Sequence, residues 1–201
     1  MMKRLAIFAS GNGSNAQAIA EYFSESSDAR VVLILSNRED AFVVQRAKAL
    51  NIPVRVFNRE DFYKTDIITG LLIDQQIDLV VLAGFLWLLP PSLIHAFPDR
   101  IINIHPALLP KYGGKGMYGD TVHKAVIASH DKETGITIHY VNKLYDAGDI
   151  IFQTRCKVDP SDTPASLAEK VHALEYLHYP RIIEDMVQKL PDFLIKGPEE
   201  V

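Results

Sequence analysis

Residues 103–105, Asn-Ile-His, place an amide and an imidazole two positions apart at the end of an apolar run, and Pro106 follows at once. In a strand, residues i and i+2 share a face, so Asn103 and His105 project together while Ile102 and Ile104 point the other way. A polar pair on one face of a buried strand is costly unless it is solvated, hydrogen-bonded or functional. The asparagine amide offers two N–H donors in fixed geometry, suited to an oxyanion developing on a carbonyl, and an imidazole exchanges protons near neutral pH. A carboxylate would complete the set by orienting the imidazole and raising its pKa. Asp146 in "LYDAGDI" is the candidate, because Ala147-Gly148 behind it permits a sharp turn; Asp149 opens a strand and reads as a surface residue. Singly, Asn103 could cap a turn, His105 fill a core and Asp146 make a turn. Together, at strand ends of one sheet, they predict chemistry.

A second motif, "ASGNGSNAQA", joins an apolar run to an amphipathic segment. Gly11 and Gly13 allow a tight turn, and Ser14 or Asn15 is expected to cap the helix that follows. Free backbone N–H groups at a helix start attract anions, phosphate above all. The letters also fit G-x-G-x-x-A, but a dinucleotide site asks for an acidic residue after the second strand, where this chain has Ser36-Asn37. The expected ligand is the phosphate of something smaller than NAD.

These motifs need a scaffold. Short apolar runs near residues 5, 31, 54, 79 and 101 alternate with segments of three- and four-residue apolar spacing, which predicts βα units around a parallel sheet. The segment 60–76 reads as one such helix. From about residue 135 the runs "GITIHYVN" and "DIIFQTRCKV" follow each other closely, predicting an antiparallel pair that closes the sheet. A long helix is expected from Pro164, kinked or divided at Pro180, and "KGPEEV" at the end is expected to be a loose tail. The fold class is therefore α/β, Rossmann-like, in one domain over 1–201. In such sheets ligands bind at the carboxyl ends of the strands, where both motifs fall.

The 201 residues are 48% hydrophobic, 23% charged and 9% aromatic, the balance of a folded soluble chain. A net charge of −4 gives no basic footprint for nucleic acid. No apolar run reaches the ~20 residues of a membrane span. Cys156 is the only cysteine, so no internal disulfide can form, and a reducing cytoplasm is the expected compartment.

The stretches "ASGNGSNAQAI", "VVLAGFLWLL", "INIHPALLPKY" and "YDAGDII" resemble the phosphoribosylglycinamide formyltransferase family, folate-dependent enzymes of de novo purine synthesis. The resemblance runs from about residue 4 to about 182. It implies the three-layer formyltransferase fold and transfer of the formyl group of 10-formyltetrahydrofolate to the amino group of glycinamide ribonucleotide. It further implies that Asn103 stabilises the tetrahedral oxyanion, that His105 transfers protons, and that Asp146 holds His105 and an ordered water. Gly13, Ser14 and Asn15 map onto the phosphate loop, Pro106 onto backbone near the glycinamide end, and Glu175 onto the acid that takes the ribose hydroxyls, with His172 one turn earlier on the same face. Phe85, Leu86, Trp87, Leu88 and Leu89 would line the folate cleft, with backbone near Leu144 and Asp146 reading the pterin edge and Arg59 meeting the glutamate. No metal is implied. The partners implied are these two small molecules, with the chain a monomer or homodimer. Residues 1–100 would form the phosphate-binding half and 101–190 the catalytic and folate-binding half.

Two departures stand out. Trp87 occupies a position that is basic in many relatives, and "GGKGMYGDTVHKA" is longer than the corresponding loop, with glycines at 113, 114, 116 and 119 that predict a mobile loop over 113–120 able to close over substrate. His123 and His139 lie close enough in sequence to reach the site, but such histidines more often sit at the surface or pack in a sheet, and they are not counted among the site residues. Other folate formyl enzymes would be expected to carry an additional domain at one end, and a nucleotide-binding module or an NAD-dependent oxidoreductase would leave the Asn103, His105 and Asp146 set or the second strand end unexplained.

Overall fold

The computed structural model describes residues 1–191; the expected tail at 196–201 lies outside them. Five strands, β1 (Lys3–Phe8), β2 (Ala29–Ser36), β3 (Val54–Val56), β4 (Leu79–Leu82) and β5 (Ile101–His105), pair in parallel. Two more, β6 (Glu133–Tyr140) and β7 (Ile150–Lys157), pair antiparallel, giving the order β3-β2-β1-β4-β5-β6-β7. The expected mixed sheet is borne out.

Alternation along β1 creates the three layers. Leu5 and Ile7 pack on α1 (Ser14–Tyr22), α2 (Phe42–Ala49) and α7 (Pro164–Lys189). Ala6 and Phe8 face α3 (Arg59–Tyr63), α4 (Ile67–Asp74) and α5 (Pro91–Ala96). All four side chains are fully buried, and burying one the size of Phe8 contributes about 1.5–3 kcal/mol. A smaller cluster joins α6 (Asp120–Ala128) to α7 through Val122, Val126 and Leu167.

One expectation is corrected and another narrowed. The segment 60–76 is two helices, because the Thr65 hydroxyl donates to the Asp61 carbonyl (2.8 Å) and accepts from the Ile67 N–H (3.3 Å), taking over backbone groups that a continuous helix would pair. Of the two alternatives at Pro180, division is excluded, since helix α7 runs unbroken for 26 residues. Proline removes one N–H, and the buried contacts of Val171, Tyr179, Ile183 and Val187 on both sides of it outweigh that loss. A Thr163/Ser166 capping box starts this helix.

Candidate active site

Asn103 and His105 end β5 as expected, with Ile102 and Ile104 in the core on the opposite face. His105 is 3% exposed. Its Nε2 lies 2.7 Å from the Tyr112 carbonyl, which can only accept, so Nε2 carries a proton. Nδ1 is therefore the atom free to titrate, and it stands 3.5 Å from Asp146 Oδ2. Burial pushes the His105 pKa below the ordinary imidazole value, outweighing the raising effect of Asp146 and the Tyr112 bond. The carboxylate raises this imidazole as expected, but desolvation is the larger effect and the net shift is downward.

Asp146 adopts a left-handed φ of 51° in the β6–β7 connection. Gly148 is required nearby, since a Cβ there would collide with the Tyr140 carbonyl. Oδ2 of Asp146 accepts from the Gly114 N–H at 2.9 Å, and Oδ1 lies 3.5 Å from the Asn103 amide nitrogen and 3.7 Å from His139 Nε2. Burial opposes ionisation, but the neighbouring His139 and His105 imidazoles and the Gly114 N–H together hold this carboxyl below its ordinary value.

His139 is the residue that sequence reasoning set aside. It faces Asn103 across the β5–β6 ladder and its Nε2 lies 3.1 Å from the amide nitrogen, while Nδ1 donates to the Tyr140 carbonyl at 2.7 Å. A buried polar residue at the register position opposite Asn103 was the available signal, but that register is set only when β6 pairs with β5.

The cavity at these strand ends has a volume of about 540 Å³. Its wall includes Asn103, His105, Pro106 and Asp146, and also Gly13, Ser14, Asn15, His172 and Glu175 from the other motifs. The helix cap is corrected: Gly13, not Ser14 or Asn15, is the N-cap of α1, with φ 75°, and a Cβ on it would strike Val43. Asn15 instead donates Nδ2 to Glu175 at 2.8 Å, and its Oδ1 is buried without a partner. Burial raises the Glu175 pKa, against the lowering effect of that bond. From behind, Arg46 donates to the Asn12 carbonyl and side chain at 2.9 and 2.8 Å, fixing the glycine turn. His123, also set aside, lines the same wall with its ring 6.5 Å from that of His172.

Phe85 and Leu86 line the cavity, held by Ser10, whose N–H donates to the Gly84 carbonyl and whose hydroxyl accepts from the Leu86 N–H, both at 3.0 Å. Tyr145, Met117 and Tyr118 add apolar surface that sequence reasoning did not name. Trp87 and Leu89 pack with the second core, the Arg59 guanidinium lies 4.7 Å over the Trp87 ring, and the Leu88 carbonyl accepts from the Tyr63 hydroxyl at 2.9 Å. Leu144 is 68% exposed. These five are not among the residues that line the cavity.

A donor amide, a buried imidazole with one free nitrogen and a carboxylate at one end, with backbone N–H groups of a glycine turn at the other, suit acyl chemistry on a phosphorylated molecule. A family profile described as formyl transferase matches residues 3–183. The chain belongs to the formyl transferase family. Among formyl transferases of known name, a chloroplastic phosphoribosylglycinamide formyltransferase of Arabidopsis thaliana is 43% identical over 187 residues, covering 90% of this chain and 64% of the plant protein. The chain thus spans just under two thirds of that relative's length. The phosphoribosylglycinamide formyltransferase of Bacillus subtilis is 35% identical, covering 92% of this chain and 95% of its own. The solved structure of the formyl transferase of that name from Bacillus halodurans matches with a TM-score of 0.85 at 35% identity, over 96% of this chain and 100% of the other. No helix among the described residues is long and apolar enough to cross a membrane.

Proposed function

We propose that this formyl transferase moves the formyl group of 10-formyltetrahydrofolate onto the amino group of glycinamide ribonucleotide, a step of de novo purine biosynthesis. The observation that carries the reading is that Asn103, His105 and Asp146 share one cavity with the Gly13 turn and Glu175. A nucleotide phosphate is suited to the N–H groups after Gly13, with Ser14 and Asn15 beside it. The unpartnered Asn15 Oδ1, Glu175 and His172 then offer acceptors to sugar hydroxyls, and Pro106 borders the amine. The aromatic and aliphatic surface of Phe85, Leu86 and Tyr145 fits a flat pteridine at the opposite end. Arg59, with Trp87, Leu88, Leu89 and Leu144, extends that assignment outward to the glutamate end of the folate.

The residues divide the chemistry. The Asn103 amide is held by His139 at 3.1 Å but only loosely by Asp146 at 3.5 Å, so one N–H can turn to the formyl oxygen as charge develops there. As the amine attacks the formyl carbon, His105 accepts its proton at Nδ1 and Asp146 faces the cation so formed; the proton then passes to the folate nitrogen as its bond to the formyl carbon breaks and tetrahydrofolate leaves. No metal ion is needed for these steps.

We read 1–201 as one domain in which 1–100 chiefly bind phosphate and 101–190 supply catalysis and folate contacts. It acts in the cytoplasm, as a monomer or homodimer, on small molecules alone. Following absorbance as the protein is mixed with glycinamide ribonucleotide and 10-formyltetrahydrofolate tests the reading. Deformylation only with the nucleotide present is expected. Deformylation without it would make the protein a hydrolase, and no turnover in either case would overturn the assignment.

A further inference from the structure

The protonation pattern of His105 depends on one backbone carbonyl, that of Tyr112, 2.7 Å from Nε2. Tyr112 packs on one side against the cluster of Val122, Val126 and Leu167, but its backbone is not relaxed there. It adopts a left-handed φ of 55°, which a side chain with a Cβ resists. It is half-buried and borders a second cavity, of about 380 Å³, with Leu108, Asp131 and Thr134. The cavity leaves the residue room to relax out of this left-handed conformation, and a change in its backbone dihedrals would turn the carbonyl away from Nε2. Beyond that packing, the ring is tied by Asp131, whose Oδ2 accepts from the Tyr112 hydroxyl at 3.0 Å. Lys111 holds the same carboxylate at 3.1 and 3.3 Å, and the Lys111 N–H donates to the Leu108 carbonyl at 3.2 Å, closing the turn.

We infer that Asp131 is a positioning residue for the reaction: by tethering the Tyr112 ring it aims the Tyr112 carbonyl at His105 Nε2 and so fixes the imidazole as the Nε2–H tautomer, with Nδ1 presented to the substrate and Asp146. Without the tether, the neutral ring can carry its proton on Nδ1 instead, where the nearby carboxylate would accept it. A histidine in that form has no lone pair at the working atom. Asp131 never touches substrate in this arrangement. It lies on the far side of Tyr112, in the turn between α6 and β6.

The inference rests on His105 being the proton carrier, and it is tested on the full chain in two ways. Nitrogen-15 spectra of histidine-labelled protein, at a pH well above the ordinary imidazole value, report the tautomer, with His105 assigned by the signal missing from His105→Gln. The wild-type protein should show only Nε2–H, and Tyr112→Phe and Asp131→Ala should each show a mixture. In steady-state kinetics both variants should lose about 10-fold in kcat, with KM for either substrate held within about twofold, since the defect is one of aim. The double variant should be no worse than the poorer single one, because both cut the same tether. Asp131→Asn should recover most of the rate, its amide oxygen still accepting from the hydroxyl. Unchanged tautomers in both single variants, or losses that add in the double variant, would overturn the inference. If the formyl-transfer reading itself fails, wild type and variants alike show no turnover, and the tautomer spectra still decide the role of Asp131.

Discussion

The side chains of Asn103 and His139 meet across the one antiparallel junction in the path from β5 to β6, amide nitrogen to Nε2, at 3.1 Å. The imidazole donates its own Nδ1–H to the Tyr140 carbonyl, so its Nε2 offers a lone pair and the amide is oriented with N–H outward. Replacing His139 with alanine removes that acceptor. kcat is expected to fall about 10-fold with little change in KM, because the amide loses its aim rather than the site its shape. Steady-state kinetics on a variant of wild-type Tm check this, and an undiminished kcat would remove His139 from the site.

Asp146→Asn keeps an oxygen to accept the Gly114 N–H, and asparagine tolerates the left-handed φ of 51°. Folding should survive. Turnover should drop by ~10²-fold or more, since the charge facing His105 Nδ1 is gone. A near-normal rate would refute the role given to this carboxylate.

The acid limb of kcat/KM should lie below pH 6.5, the ordinary imidazole value, because burial holds His105 neutral to lower pH. The sign extends to stability. His105 resists protonation in the folded chain more than in the unfolded one, so stability falls as pH drops through 6.5 toward the lowered folded value. Asp146 adds in the same direction, its lowered pKa stabilising the fold above the unfolded carboxyl value and losing that effect in acid. In Asp146→Asn the acid limb should move lower still, as an effect that raises His105 is removed. Rate measurements across pH on the two proteins compare the midpoints.

Asn15→Ala leaves the buried Glu175 without its amide donor, a loss of about 1–3 kcal/mol where the group stays unsatisfied. The expected kinetic signature is a raised KM for the ribonucleotide and an unchanged KM for the folate. Adding Ser14→Ala should deepen the same defect. Equal losses for both ligands would instead indicate a general distortion of the cavity.

Much of this was legible in the chain because it is local. Apolar runs and their spacing gave the strands and most helices, and the i, i+2 relation of Asn103 and His105 put both on one face without reference to any other element. What escaped is what only pairing across the chain creates. His139 lies 36 positions from Asn103 and acquires its role from register, while the Tyr112 carbonyl is a backbone group that no residue type announces. The cap of α1 was misread for a steric reason: Val43, thirty residues on, leaves room only for glycine at 13, and Asn15 is drawn away to Glu175. The break at Thr65 came from a hydroxyl competing for backbone groups within an otherwise helical pattern.

Helix α7 carries Glu175 and His172, and one turn past Glu175 the Tyr179 hydroxyl donates to the Leu82 carbonyl at 3.0 Å and lies 3.5 Å from that of Ile102. The helix is thus pinned to the end of β4 and to β5 beside Asn103. Its span fixes the separation between Glu175 and Asn103, so on the proposed reading the molecule measures the length of what it accepts. Tolerance for differing ligands must then come from the glycine-bearing stretch 114–119, which lines the same cavity and lies outside the helices and strands.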